Sequence, residues 1–177
     1  VLLMLITAPA VNADPSGTFY QNLADAAFQR TRQNVRYDGA YRPLSYPRGD
    51  VDPSIGSSRA SLHFAAQGHP ALGVCTDVLI RSYRKLGIDL QQAVHEDMQT
   101  HFSSYPNNWG LASPDSNIDH RRVANLQAFF RRHGKQLEIS QRGDRYLPGD
   151  LVTWRLPGGL AHIGIVSRAK TMDGKTP

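Results

Sequence analysis

Only one cysteine occurs in the 177 residues, Cys75, so no disulfide can close within the chain. No apolar run approaches the roughly 20 residues that span a bilayer, and no internal repeat, low-complexity tract or block of like charge is present. Metal-binding patterns are missing too. His63 and His69 stand six apart and read as solvated, and His95-Glu96 is not followed by the second histidine of a zinc helix. These absences exclude a disulfide scaffold, a membrane-spanning protein, a solenoid and a zinc peptidase, and they call for no metal and no cofactor. Arginines are scattered, so the net charge of +5 does not suggest nucleic acid. It suits an anionic polymer such as a bacterial cell wall.

What is present is one domain's worth of ordinary globular composition, 40% hydrophobic and 20% charged. Val1 to Ala13 (VLLMLITAPAVNA) reads as the remnant of a secretory signal peptide: an apolar core, then small residues, with cleavage expected after Ala13. Residues 14–177 then form a single exported domain, periplasmic or secreted, without a stable membrane anchor. In an oxidising compartment a free thiol is either put to use or buried and inert.

The stretch from Gly73 to Gly87 organises the chain. Val78, Leu79, Tyr83 and Leu86 predict the buried face of a helix that starts at Cys75, with Arg84 and Lys85 in its last turn and Gly87 as its cap. A thiol in the first turn meets unpaired N–H groups and the positive end of the helix dipole, which favour thiolate. Asp77 in the same turn opposes this, so a partner base is required.

Around that helix, spacing predicts others over Ser16–Asn34 and from Asp89 through Phe102 with an Asp89-x-x-Gln92 capping box. Asp119–Arg122 leads into one more, with Val123, Leu126, Phe129 and Phe130 inward and Gly134 at its end. Val35–Asp52 lacks helical period. Its Tyr46-Pro47-Arg48-Gly49-Asp50 turn is either a cleft wall or a plain surface loop. Pro53–Leu72 reads as an insertion. His120, beside Arg121 and Arg122, either binds an anionic substrate group or holds its loop. Leu137–Ser140 is a short strand candidate. Leu151–Leu156, a Pro-Gly-Gly turn and Ala161–Val166 predict a hairpin, with Val152, Trp154 and Leu156 alternating against Thr153 and Arg155. His162 and Gly164 share a face of the second strand, and the glycine is expected to leave space over the imidazole.

A cysteine opening a helix, then Pro-Gly-Asp-Leu-Val (148–152) and Ala-His-Ile-Gly-Ile-Val (161–166), resembles the NlpC-type cell-wall cysteine peptidases. More of the chain resembles the family called domain of unknown function 1287, the YijF-like proteins. The resemblance lies at Tyr46–Val51, Gly73–Val78, Asp89–Met98, Asn117–Val123 and Val152–Gly159. The first resemblance implies an α+β, papain-like fold: a helical N-terminal half, with the cysteine at a helix start, packed on a C-terminal antiparallel sheet. It implies Cys75 as nucleophile and His162 as its base. It also implies a third residue on a following strand that orients the imidazole. The second resemblance implies a further strand beyond Pro177, so the chain reads as a fragment whose orienting residue is missing. Tyr46 lies at a position similar to a tyrosine that lines NlpC-type sites. Tyr46, Asp77, His120 and Arg121 are therefore the candidates for substrate or oxyanion contacts. The implied activity is hydrolysis of amide bonds in peptidoglycan stem peptides or other peptides. A non-catalytic cell-wall binding module and an acyl transferase remain the alternatives.

Overall fold

The computed structural model describes residues 4–7, 17–51 and 71–170. Cleavage after Ala13, the His63 and His69 reading, most of the Pro53–Leu72 insertion and the chain beyond residue 170 lie outside them. Within the described residues the protein is mixed helix and sheet, an α+β arrangement. Its strands are β1 (Met4–Thr7), β2 (Val35–Tyr37), β3 (Ala71–Gly73), β4 (Lys135–Leu137), β5 (Leu151–Arg155) and β6 (Ala161–Ile165). Its helices are α1 (Thr18–Arg30), α2 (Cys75–Lys85), α3 (Leu90–His101) and α4 (Val123–His133). Antiparallel pairing gives one sheet the order β4-β1-β5-β6, and β2 and β3 form a separate parallel pair. Met4–Thr7, inside the segment expected as a leader, runs as the backbone of β1 between β4 and β5.

The core lies where α1, α2, α3 and α4 meet β5 and β6. Leu23, Leu79, Ile80, Tyr83, Leu90, Val94, Leu126, Phe130, Leu151 and Ile163 are almost fully buried there. Each such side chain contributes about 1.5–3 kcal/mol of transfer free energy. The expected stripe on α2 holds at Leu79, Tyr83 and Leu86, but Thr76 and Ile80 belong to it and Val78 does not. Val78 is 36% exposed, because the positions three, four and seven beyond Thr76 (Leu79, Ile80 and Tyr83) share the buried face and Val78 falls off it.

Two further expectations change. On β5 the buried positions are Leu151 and Thr153, while Val152 and Trp154 are only half-buried. Thr153 sits opposite Ile163, and its hydroxyl accepts a hydrogen bond from Gln127 on α4 at 2.8 Å, which makes a polar residue tolerable inside. At the start of α3 the Asp89–Gln92 box does not form. Asp89 instead accepts from the Arg48 N–H (2.8 Å) and from Arg84 (2.8 Å), and Gln92 turns to Glu96 (2.8 Å).

Those contacts explain the Tyr46–Asp50 turn. It is a strap bolted onto the helices. The Gly49 N–H donates to Gln91 at 2.7 Å, and Gln91 donates back to the carbonyls of Ser45 and Ser116 (2.9 and 3.1 Å). A Cβ at Gly49 would lie 2.1 Å from the Ser45 carbonyl oxygen, so only glycine fits. Behind it, Asp50 receives a fork from Arg81 (2.8 Å for the closest contact), with both side chains 5% exposed or less. Arg84 bridges Asp50 and Asp89.

Candidate functional site

Cys75 is the first residue of α2 and half-buried. The turn before it is held by Asp77, whose carboxylate accepts the Val74 N–H at 2.7 Å. That carboxylate also meets Arg121 at 3.3 Å, with both side chains nearly inaccessible to water (4% and 2% exposed). Arg121 in turn donates to the carbonyls of Asp38 (2.9 Å) and Ala40 (3.2 Å). One guanidinium thus ties the cysteine turn to the segment after β2. Burial pushes the Asp77 carboxyl up, against the pull of Arg121 and the Val74 N–H.

Burial also pushes the Cys75 thiol up. The N–H groups of Ile163 and Thr76 pull it down, and the Asp77 charge pushes it further up. The balance of these influences favours the thiol over the thiolate. His162 faces Trp154 directly across the β5–β6 register, and their rings meet edge to face with centroids 4.7 Å apart. The space above Gly164, expected to lie open over the imidazole, is filled by the Trp154 ring, which a Cβ there would meet at 3.3 Å. Trp154 therefore sets the pose of His162. Cys75 and His162 make no hydrogen bond to each other among the described residues.

Both residues line one cleft of about 630 Å³. Its floor and near wall carry Val74, Cys75, Ala161 and His162. Tyr37 and Gly39 come from the segment after β2. Val123, Gln127 and Arg131 come from α4, and Asn108 and Trp109 from the loop after α3. Such a half-open pocket, with apolar walls and a few convergent polar groups, is the usual form of a small-molecule or peptide site. Among the described residues no group of three or more His, Cys, Asp or Glu could hold a metal ion.

The sequence-derived contacts divide. Arg121 lines the cleft, but its guanidinium is committed to Asp77 and to the carbonyls of Asp38 and Ala40. Asp77 lies behind the cysteine turn as a positioning group. Tyr46 is not among the cleft residues. Its ring packs edge-on to His95 with centroids 5.2 Å apart, because the strap docks on α3. His95 Nδ1 donates to the Asp119 carboxylate at 2.9 Å. His120 is also outside the cleft and 1% exposed, so it contacts no substrate from there. Tyr37, Trp109, Gln127 and Trp154 are among the lining residues that sequence reasoning missed. The two tryptophans and the exposed Tyr37 offered a signal, since large aromatics on loops and strand ends often mark binding surfaces.

The burial of His120 has a measurable consequence. Desolvation pushes its pKa down to about 4, with Arg121 and Arg84 pushing the same way against Asp89 and Asp50. An unfolded histidine titrates near about 6.5. Between those values the unfolded chain binds a proton that the folded chain refuses, so stability falls as the pH drops from about 6.5 toward 4. Thermal melts across that range are expected to show a declining midpoint for the native protein and a flatter profile for His120→Leu. Equal slopes would mean that His120 takes up its proton in the folded state.

Residues 60–177 match the family described as Domain of unknown function (DUF1287). The chain belongs to the DUF1287 family. It is 45% identical over 152 residues to a protein of Escherichia coli (strain K12) named "Uncharacterized protein YijF". That alignment covers 86% of this chain and 66% of the relative, so the chain spans just under two thirds of the relative's length. No solved structure matches. Within the matched region lie Cys75, His162 and every cleft residue except Tyr37 and Gly39.

Proposed function

We propose that this DUF1287 domain is an exported cysteine hydrolase of the papain-like, NlpC type, cutting amide bonds in peptidoglycan stem peptides. The observation that carries the reading is the cleft itself. A thiol at a helix start and an imidazole on the facing hairpin, far apart in sequence, line one pocket large enough for a peptide.

In this reading the Cys75 thiol rests protonated and His162 accepts its proton as the sulfur attacks the substrate carbonyl. The N–H of Cys75, not consumed by the helix, faces the developing oxyanion. His162 then returns the proton to the leaving amine, and water releases the acyl group from the thioester. Trp154 does part of an orienting residue's work by packing against the imidazole edge. No helix among the described residues is long and apolar enough to cross a membrane, and export rests on the leader-like N-terminal segment.

One observation favours a second reading, a cell-wall binding module on the same fold: burial holds the Cys75 thiol up with no hydrogen bond from His162. Purified sacculi incubated with the full-length protein and with Cys75→Ala separate the two. Hydrolysis predicts new muropeptides, identified by mass spectrometry, from the native protein alone. Masses of newly joined peptides would identify a transferase. Identical profiles with protein still co-sedimenting would leave the binding module.

A further inference from the structure

The described residues lining the cleft include Arg121, Arg122, Arg131 and Arg155 together with His162, and none of them is Asp or Glu. Three of these arginines, Arg121, Arg131 and Arg155, are engaged by the protein. Arg121 is closed onto Asp77, and Arg155 donates to the Gly159 carbonyl at 2.8 Å. Arg122 is held differently. Its guanidinium carbon lies 4.0 Å over the centre of the Trp109 ring. Among the described residues its guanidinium makes no hydrogen bond or ion pair.

That posture has consequences. A cation–π contact uses the flat face of the guanidinium and leaves its edge, where the N–H donors point, directed elsewhere. Seating on an indole also restricts the side chain in advance, so little rotamer freedom remains to be lost when a planar anion docks. Partial burial pushes the pKa of Arg122 down. The charges of Asp115 and Asp119 oppose that, but neither carboxylate reaches it as an ion pair. The arginine is thus partly stripped of water, fixed in a cleft free of described acids, and left with unused paired donors.

We infer that Arg122, seated on Trp109, is the specificity-determining residue of the cleft and binds a carboxylate of the ligand through its paired N–H donors. The ligand class is an anionic peptide, read in preference to the same peptide with its side-chain carboxylate amidated. This rests on the reading of the cleft as the substrate site.

The protein's two tryptophans, Trp109 and Trp154, both line the cleft, so intrinsic fluorescence reports on it alone. Full-length Cys75→Ala protein would be titrated with acetyl-Ala-Glu-Ala-amide and with its Gln counterpart. The acidic probe is expected to bind roughly tenfold more tightly, the difference between a charged and a neutral hydrogen-bonded acceptor. Arg122→Gln abolishes that preference, and Arg122→Lys restores only part of it because an ammonium cannot fork. Arg168→Gln removes the same charge from an exposed pair with Asp25 and leaves the preference intact. Trp109→Leu, which keeps the charge and removes the platform, reduces it. Circular dichroism melts confirm that each variant is folded.

A preference that survives Arg122→Gln, equal affinity for both probes, or binding of neither would overturn the inference. The outcomes also separate from those of the hydrolase reading. Protein that cuts sacculi without preferring the acidic probe sinks only the Arg122 assignment. Protein that prefers the probe through Arg122 yet cuts nothing sinks only the hydrolase.

Discussion

His162→Ala is expected to lower kcat/KM on the released-muropeptide assay by roughly 10²–10⁴-fold, the range contributed by a positioned general base. The thiol itself should behave differently. Burial is the leading influence on Cys75 and raises its pKa, and His162 is not among the groups that pull it down. Alkylation by iodoacetamide is therefore expected to climb only above the ordinary thiol range near about 8.5, in the native protein and in His162→Ala alike. The sign follows from the direction of the shift: a raised thiol pKa moves the thiolate population to higher pH. On the proposed mechanism turnover and alkylation thus come apart, since His162 would act as the carbonyl is attacked and not before. A neutral-pH plateau of alkylation in the native protein, lost in His162→Ala, would instead mark a preformed thiolate–imidazolium pair.

Asp50→Ala is expected to have the largest effect on stability. The carboxylate receives both Nε and Nη2 of Arg81, with side chains 5% and 2% exposed, and it also meets Arg84 at 3.3 Å. Removing one partner of a buried pair leaves the other charge poorly compensated, at a cost of about 3–5 kcal/mol. For a chain of this size that lowers the melting midpoint by about 6–20 °C. Arg81 keeps its bond to the Leu72 carbonyl, and Asp77 also acts on it electrostatically, which favours the lower half of that range. Urea titration gives the free-energy difference directly. A loss under about 1 kcal/mol would mean that water replaces the carboxylate. The double variant Asp50→Leu/Arg81→Met should recover much of the loss, because it removes both charges of the most buried pair and Arg84 keeps its partner Asp89. Activity should also suffer in Asp50→Ala, since the strap it anchors leads back to Tyr37 and Gly39 in the cleft wall.

Much of the architecture was legible from residue order alone. Helices at Thr18–Arg30, Cys75–Lys85, Leu90–His101 and Val123–His133, and the β5–β6 hairpin, follow from apolar periodicity and turn residues, which are local properties. Cys75 and His162 were singled out from type and context, and the structure places both in the lining of one cleft. What local pattern could not decide was which side of an element meets which neighbour. Val78 and Ile80 both fit a helical stripe, and only the packing of α2 against α1 and β6 buries Ile80 and exposes Val78. Thr153 is inside because Gln127, on another helix, satisfies its hydroxyl. Tyr46 and Tyr37 are both tyrosines of one turn-rich segment. The bonds from Gly49 to Gln91 and from Arg48 to Asp89 carry Tyr46 onto α3, while Tyr37 remains at the cleft. Sequence determined the four helices and the β5–β6 hairpin, because periodicity and caps act within a few residues. It did not show β1, β2 or β3, and the strand expected at Leu137–Ser140 runs at Lys135–Leu137. Only the tertiary structure decided the cleft's walls, because hydrogen bonds and packing between distant segments choose among faces that the local pattern leaves equivalent.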